Sequence, residues 1–224
     1  VRKIIISPCK IRNNARLGDK GGNIYAIIFP VEEFMQKVEF INSNNDFSTI
    51  YEDLLTQFPK SELKSKERFD ELLKNPDYKA YSVKIDGENA GYVIFFIDKK
   101  NNTLWLDYIA IFKEHHSKGF GTRIFEAMKK EFFEFSGVWL EVEKPDENEP
   151  DTLRRRKFYK KLGARIVSEN YIYPNNNGGL SMDLYFLPFC EENFAKKMHK
   201  CVKTAFETIH SDVENIEKII DKIK

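Results

Sequence analysis

The stretch that decides the fold runs Leu106-Asp-Tyr-Ile-Ala-Ile-Phe-Lys-Glu-His-His-Ser-Lys-Gly-Phe-Gly-Thr-Arg-Ile124. Its first residues, up to Ile111, are apolar and β-favouring and predict a strand. After Gly119 and Gly121, apolar residues recur at every fourth position and predict an amphipathic helix: Ile124, Met128 and Phe132. A strand that leads through a glycine turn into a helix directs main-chain N–H groups and the positive end of the helix dipole at one point. Such a point suits a phosphate or pyrophosphate.

Two common phosphate-binding motifs do not fit this turn. No Gly-Lys-Ser/Thr follows Gly119 and Gly121, which excludes a Walker loop. Ile124 stands where a dinucleotide fingerprint has its third glycine. The turn therefore indicates a pyrophosphate cradle of another kind.

Two motifs carry a resemblance to a known family. His116-Ser-Lys-Gly119-Phe-Gly121 resembles the Arg/Gln-x-x-Gly-x-Gly/Ala signature of the GNAT N-acetyltransferases, with His116 in place of Arg or Gln. Further on, Val138-Trp-Leu-Glu-Val142 is similar to the family's Leu-Glu-Val strand. Phe158-Tyr-Lys-Lys-Leu-Gly-Ala164 is similar to its Tyr-x-x-x-Gly-Phe helix end, with Ala164 in place of Phe. The two motifs occur in the family's order.

The resemblance implies both a fold and a donor substrate. The fold is α/β, a GNAT-like central mixed, mostly antiparallel sheet flanked by helices, with a C-terminal helical extension. The donor is acetyl-CoA, and the resemblance places it against ten residues: Ile109, Ala110, Ile111, His116, Ser117, Lys118, Gly119, Phe120, Gly121 and Thr122.

The chain divides into three parts. Residues 1–22 are basic and predict a loose lead-in, in which Ile4–Ile6 has the composition of an edge strand. Residues 23–189 form the acetyltransferase domain, and 190–224 form the extension. Helices and strands alternate in the domain, which favours an α/β fold. The patterns predict a strand at 23–29, a helix from Pro30 to Ile41, helices at 47–58 and 61–73, strands at 81–85 and 90–97 joined by Asp86-Gly87, a strand at 103–111, a helix at 119–135, a strand at 138–143, a helix at 151–162, and strands at 165–172 and 180–187.

The extension carries an apolar stripe. Its residues are three and four positions apart: Val202, Ala205, Ile209, Val213, Ile216, Ile220 and Ile223. Such a face must be covered, because Ile and Val left in water form an adhesive patch. Its own domain and a second chain are both open as partners, and we expect a homodimer, since GNAT domains often associate. Ser211 and Glu214 form a capping-box pattern, so the extension is predicted to hold two helices.

Acetyl transfer from a thioester to an amine needs a proton acceptor for the amine and a proton donor for the departing thiolate. Tyr159 is the candidate acid. Pro150-Asp151 begins its helix with Asp151 as the cap, and Gly163 follows the helix end. Its phenol, with a pKa near ~10, therefore lies in the last turn, where many GNAT enzymes have their thiolate-protonating tyrosine. The other interpretation of Tyr159 is a core aromatic residue.

Glu141 is the candidate base. In GNAT enzymes that acetylate protein N-termini, the Glu of Leu-Glu-Val has this role, and on a strand its side chain points opposite to Leu140 and Val142. Asp107, in the strand that enters the glycine turn, is the rival. A further interpretation has one carboxylate bind the amine while the other relays its proton. For both, the alternative is a solvated strand carboxylate.

The segment Glu141–Asp151 contains six acidic residues and one lysine. It has two interpretations, a negative rim that attracts a cationic amine or a solvated loop. The adjacent Arg154-Arg-Arg156 is predicted to neutralise this loop, and contact with the 3′-phosphate of the coenzyme is the alternative.

Composition excludes several classes of function. A formal net charge of +1 gives no reason to expect a nucleic acid or an acidic membrane as partner. The three cysteines lack Cys-x-x-Cys spacing, and the histidines show no ligand spacing, so no metal is predicted. We expect a cytoplasmic N-acetyltransferase that moves an acetyl group to a primary amine in a ternary complex. The alternatives are a longer acyl donor, an acyl-CoA-binding sensor or inactive adaptor, and a protein-interaction module.

Overall fold

The computed structural model describes residues 37–190, 194–214 and 216–223. The predicted lead-in, the strand at 23–29 and the start of the helix at Pro30 lie outside these ranges. In chain order, the elements are β1 (Val38–Asn42), α1 (Ser48–Gln57), α2 (Lys66–Leu72), β2 (Tyr78–Ile85), β3 (Glu88–Asp98), β4 (Thr103–Ile111), α3 (Phe120–Glu131), β5 (Gly137–Glu143), α4 (Pro150–Lys161), β6 (Arg165–Tyr173), β7 (Leu180–Pro188), α5 (Met198–Ile209) and α6 (Ile216–Ile220).

The described strands form one mixed sheet in the order β1-β2-β3-β4-β5-β7-β6. All neighbours are antiparallel except β4 and β5, which pair in parallel only from Leu104↔Val138 to Leu106↔Leu140. Beyond that point β4 continues to Ile111 and β5 to Glu143 without pairing to each other. The two strands therefore splay apart in the middle of the sheet. The predicted mixed, mostly antiparallel sheet is confirmed.

The predicted hairpin between β2 and β3 is confirmed with its turn. Asp86 and Gly87 both have positive φ, 54° and 86°. This conformation is that of a type I′ turn, which matches the twist of the two strands it joins.

Each face of the sheet has its own apolar core. One core packs α3 and α4 against the sheet around Phe125, Met128 and Leu140. The other packs α1, α2, α5 and α6 around Trp105, Trp139 and Phe206. The C-terminal extension thus covers one face of the sheet, and it contributes buried side chains that include Val202, Ala205, Ile209, Val213, Ile219 and Ile223.

This packing changes the interpretation of the apolar stripe. The stripe is covered by the chain's own sheet and is therefore not free to form the interface of the expected homodimer. The second helix of the extension begins at Ile216 and not near Ser211. The Ser211 hydroxyl accepts a hydrogen bond from Arg68 at 2.9 Å, so the predicted capping box is not formed.

The predicted helix through Ile41 is wrong for its described part, because residues 38–42 form β1. Val38 and Phe40 pack on the core around Phe125, whereas Ile41 is 43% exposed. This alternation, and pairing with β2, outweigh the helical spacing of the apolar residues.

Two helix starts also differ from expectation. The helix predicted from Ser61 begins at Lys66, where the Ser65 hydroxyl accepts from the Arg68 N–H. In α4 the first residue is Pro150 and the N-cap is Glu149, so Asp151 lies in the first turn and is not the cap.

Candidate active site

The splay between β4 and β5 opens a cavity of about 430 Å³. The strands contribute Asp107, Tyr108 and Ile109 from β4 and Leu140, Glu141 and Glu143 from β5. The remaining walls come from the segment after α1, from α4 and from the ends of β6 and β7: Gln57, Phe58, Pro59, Glu62, Glu149, Arg155, Tyr159, Tyr173 and Met182. Main-chain groups that lack a β4–β5 partner and five acidic residues therefore line one space.

Asp107 and Glu141 each follow the last residue of their strand that takes part in the β4–β5 pairing. The Asp107 side chain is 0% exposed although the residue is half-buried, so its accessible part is the main chain. Its carboxylate accepts from Lys64 Nζ at 2.7 Å and from the Tyr78 hydroxyl at 2.5 Å. Burial lowers the pKa of Lys64, but the charge and hydrogen bond of Asp107, together with Tyr108 and Glu141, outweigh burial and raise this pKa to about 12. Asp107 is thus the counter-ion of a buried ammonium.

The Glu141 carboxylate has different partners. It accepts from Trp105 Nε1 at 3.2 Å and from the Tyr171 hydroxyl. Burial raises its pKa to about 7, and the donated hydrogen bond from Tyr171 partly opposes the rise. A carboxylate with this pKa takes up and releases a proton near neutral pH, as a general base must.

Tyr159 lies in the last turn of α4, as predicted, and Gly163 follows with φ 94°. Its ring packs edge-on against Phe125, with centroids 5.9 Å apart, and the residue also lines the cavity. Burial raises the pKa of its phenol to about 12, with a smaller lowering by Arg155. The two interpretations of Tyr159 are therefore compatible, because the ring belongs to the core and the residue borders the cavity.

Glu62 also lines the cavity, and the sequence analysis missed it. Burial, followed by repulsion from Glu143, raises its pKa to about 7. The hydroxyls of Tyr108 and Tyr173 donate to its main-chain carbonyl at 2.6 and 3.0 Å, which fixes the segment before α2 against the sheet. No local motif marks Glu62, since these partners are distant in sequence.

The acidic segment after β5 forms one side of the cavity mouth. Glu62, Glu143 and Glu149 line the inner cavity and also a more open outer one of about 670 Å³. Arg155 binds Glu143 with two hydrogen bonds of 2.9 and 2.5 Å, and Arg154 pairs with Asp151. The predicted neutralisation by arginines is confirmed for these two pairs. The outer opening nevertheless keeps a negative rim.

The glycine turn ends at Gly119, which has φ 79° and is the N-cap of α3 without a side-chain cap. Among the described residues, the N–H groups of Phe120, Gly121 and Thr122 have no main-chain acceptor, as expected for a first helical turn. His116 Nε2 lies 2.8 Å from the Ile111 carbonyl oxygen and holds the turn against β4. These free donors fit a pyrophosphate.

Gly121 also has a packing role that the sequence did not indicate. A Cβ placed there would lie 2.9 Å from Phe158 Cζ and 3.4 Å from Ile111 Cδ1. The absence of a side chain therefore lets α3 approach α4 closely.

The fold brings one histidine to the carboxylates. A ring nitrogen of His210 and oxygens of Asp107 and Glu141 all lie within 4.8 Å of one another. Sequence spacing gave no signal of this group, because its members come from β4, β5 and the residue after α5. By contrast, His115 stacks on Phe120, with centroids 5.0 Å apart. Within the described ranges, no helix has the length and apolarity needed to cross a membrane.

Comparison with known proteins points to one family. Residues 47–164 match the model of the Acetyltransferase (GNAT) family. The chain is 26% identical over 165 residues to YjbC of Bacillus subtilis (strain 168), which carries a provisional assignment as an acetyltransferase; the match covers 72% of this chain and 81% of YjbC.

Solved structures share the fold. A GNAT-family protein of Bacteroides thetaiotaomicron, also provisionally assigned as an acetyltransferase, superposes with a TM-score of 0.66 at 18% identity, over 77% of this chain and 97% of that one. The ribosomal-protein-S18-alanine N-acetyltransferase of Escherichia coli superposes with a TM-score of 0.52 at 19% identity, over 71% and 97%.

Proposed function

This chain belongs to the GNAT family of acetyltransferases, and from that premise we propose that it moves an acetyl group from acetyl-CoA directly to a primary amine bound in the β4–β5 cavity. The observation that carries the proposal is the meeting of Glu141 and Tyr159 in one cavity, beside the part of β4 and β5 where these two parallel strands no longer pair with each other. The first offers a proton acceptor and the second a proton donor.

Main-chain groups of α3 and β4 are suited to bind the donor, acetyl-CoA. The uncapped N-terminus of α3, with Gly119 and Gly121 before and within its first turn, suits the pyrophosphate of acetyl-CoA. Beyond Leu106, the main-chain groups of β4 that face β5 have no β5 partner. These groups suit the amides of the pantetheine arm, which would bring the thioester into the cavity.

The proton steps follow from the two pKa values. Near neutral pH Glu141, with a pKa of about 7, takes a proton from the ammonium, directly or through water. The free amine attacks the thioester carbon, the C–S bond breaks, and the thiolate takes a proton from Tyr159, which stays protonated because its pKa is about 12. The amide nitrogen loses a second proton, which restores Tyr159, and Glu141 releases the first to solvent.

Asp107 is the weaker candidate base. Its carboxylate is already held by Lys64 and Tyr78 and its side chain has no exposed area. The acidic mouth supports a cationic amine as the acceptor, because Glu62, Glu143 and Glu149 face the path into the cavity.

The test is a thiol-release assay with acetyl-CoA and a panel of a polyamine, an aminoglycoside, an amino acid and a peptide with a free N-terminus. Calorimetry with acetyl-CoA is run beside it. We expect binding together with thiol release for at least one amine. Binding without release for any amine would support the sensor instead, and absence of binding would overturn the acetyl-CoA assignment.

A further inference from the structure

His210 is a buried polar residue that the proposed reaction has not used. His210 is 2% exposed, and its ring packs edge-on against the rings of Tyr173 and Phe206, with centroids 5.2 and 5.7 Å away. Nε2 is buried and has no hydrogen-bond partner among the described residues. A buried nitrogen without a partner is costly, so it indicates a missing neighbour.

The place of His210 is fixed by a contact between distant elements. His210 follows the last residue of α5, where carbonyl groups lack helical partners. Arg68, on α2, donates to the carbonyls of Thr208 and Ile209 at 2.8 and 3.1 Å and to the hydroxyl of Ser211 at 2.9 Å. A cation at a helix C-terminus is favourable, and this one ties the end of α5 to α2. The imidazole is therefore held at a defined position beside β4 and β5.

Carboxylate oxygens of Asp107 and Glu141 lie within 4.8 Å of a ring nitrogen of His210. No direct hydrogen bond joins them to the imidazole, but this separation suits one bridging water, which needs two or more polar partners. A metal ion fits less well. Each of the four carboxylate oxygens already accepts one hydrogen bond, and the donors are Lys64, Tyr78, Trp105 and Tyr171. The Lys64 donor is an ammonium, whose positive charge would repel a metal ion.

We propose that His210 is a positioning residue for Glu141: its neutral ring donates a hydrogen bond, through one internal water, to the Glu141 carboxylate and favours the ionised form of the base. This inference rests on the proposed function. It also gives the C-terminal extension, which lies outside residues 47–164 that match the family model, a member of the site.

The charges around the imidazole agree with a neutral donor. Burial lowers the pKa of His210 well below its ordinary value, and the positive charges of Lys64 and Arg68 lower it further. The groups that face the site from the other elements are Asp107, Lys64, Arg68, Tyr171, Tyr173 and Glu141 itself. A neutral ring supplies an N–H without adding charge. Loss of that donor would raise the pKa of Glu141.

The direct test needs no substrate. Histidine labelled with ¹⁵N is followed by NMR from about pH 5 to 9, and His210 is identified among the four histidines with a His210→Gln variant. We expect ring shifts of a neutral imidazole at every pH, with a small step whose midpoint follows the Glu141 pKa of about 7. The step should disappear in Glu141→Gln. Full protonation of His210 in this range, or a step that survives in Glu141→Gln, would overturn the proposal.

The second test uses the amine that the panel identifies. In His210→Phe, the midpoint of the acidic limb in the pH profile of kcat/KM should shift to higher pH by roughly 0.5–1 unit. A shift of this size is the effect of one lost hydrogen bond to a carboxylate. His210→Gln, which keeps an N–H donor, should cause a smaller shift. His199→Phe, at an exposed position of α5, should cause none. A purely structural role would lower the melting temperature and leave the limb in place.

Two further outcomes separate the hypotheses. If no amine is acetylated, the proposed function fails, while the NMR titration still decides whether His210 senses Glu141. If the purified protein holds a divalent cation and the His210 ring shifts change when EDTA removes it, the bridging water is wrong and the proposal is overturned.

Discussion

Asp107 and Glu141 lie on neighbouring parallel strands, each one residue beyond the last pair, Leu106↔Leu140. They have the same chemistry and nearly the same position, yet different partners. Asp107 balances the ammonium of Lys64, and burial without a paired cation raises the pKa of Glu141 to about 7. Asp107 therefore serves as a counter-ion, whereas Glu141 is able to exchange a proton near neutral pH.

The two carboxylates should therefore respond differently to amide substitution. Glu141→Gln should lower kcat/KM by roughly 10²–10⁴-fold, with acetyl-CoA affinity and melting temperature nearly unchanged. Asp107→Asn should instead cost about 3–5 kcal/mol of unfolding free energy, because it leaves Lys64 buried without a counter-ion. Kinetics and urea unfolding measure the two effects, with Glu126→Gln at an exposed position of α3 as the control. The reverse pattern would make Asp107 the base.

Tyr159→Phe keeps the ring in the core and removes only the hydroxyl. Turnover should fall by roughly 10²–10⁴-fold, while calorimetry shows coenzyme affinity within about a factor of two. Tyr81→Phe, on β2 and outside the lining of the cavity, should leave turnover unchanged. An unaffected rate in Tyr159→Phe would return this residue to a packing role alone.

At the scale of elements, two separate requirements favour glycine at position 121, in the first turn of α3. Gly121 keeps a side chain out of the proposed pyrophosphate site, and it also lets α3 approach Phe158 of α4. A single bulky substitution would confuse the two effects, because poor packing alone would also weaken binding.

A pair of double variants separates them. Phe158→Ala provides space for a side chain at position 121, so Gly121→Glu/Phe158→Ala and Gly121→Gln/Phe158→Ala should have similar melting temperatures. Only the Glu variant places a negative charge at the helix N-terminus, and it should bind acetyl-CoA at least about 10-fold more weakly than the Gln variant. Equal affinities in calorimetry would place the pyrophosphate elsewhere.

At the scale of the molecule, the C-terminal extension is part of the core. Phe206 on α5 is 0% exposed and its ring lies against Trp105 and Tyr171, with centroids 6.4 and 5.9 Å away. His210, the residue that follows α5, lies beside Glu141. The extension therefore stabilises one face of the sheet and supplies a wall behind the site.

Phe206→Ala should accordingly destabilise the whole domain. Removal of this buried ring should cost about 3–5 kcal/mol, because a cavity remains between α5 and the sheet. Lys203→Ala, at an exposed position one turn earlier, should change the unfolding free energy by no more than about 0.5 kcal/mol. Urea unfolding of the full chain measures both. A small effect of Phe206→Ala would show that α5 is only loosely attached.

Local chemistry determined much of this protein from the sequence by itself. The apolar spacing of 119–135, the Asp86-Gly87 turn, and the Pro150 and Gly163 ends of α4 were each predicted, because their conformations depend on neighbours within a few residues. The motif around Gly119 likewise predicted the family and the donor. Tyr159 and Glu141 could be predicted as candidates because each belongs to such a local motif.

Only the tertiary structure decided the rest. Residues 38–42 form a strand because β2 lies beside them, against their own helical spacing. Glu62 and His210 reach the site because tyrosine hydroxyls and Arg68 hold distant segments against the sheet. The pKa of about 7 at Glu141 arises from burial, and its neighbours Tyr171 and His210 come from parts of the chain at least thirty residues later. Burial, strand partners and buried charge are properties of the packed molecule, and no short stretch of sequence contains them.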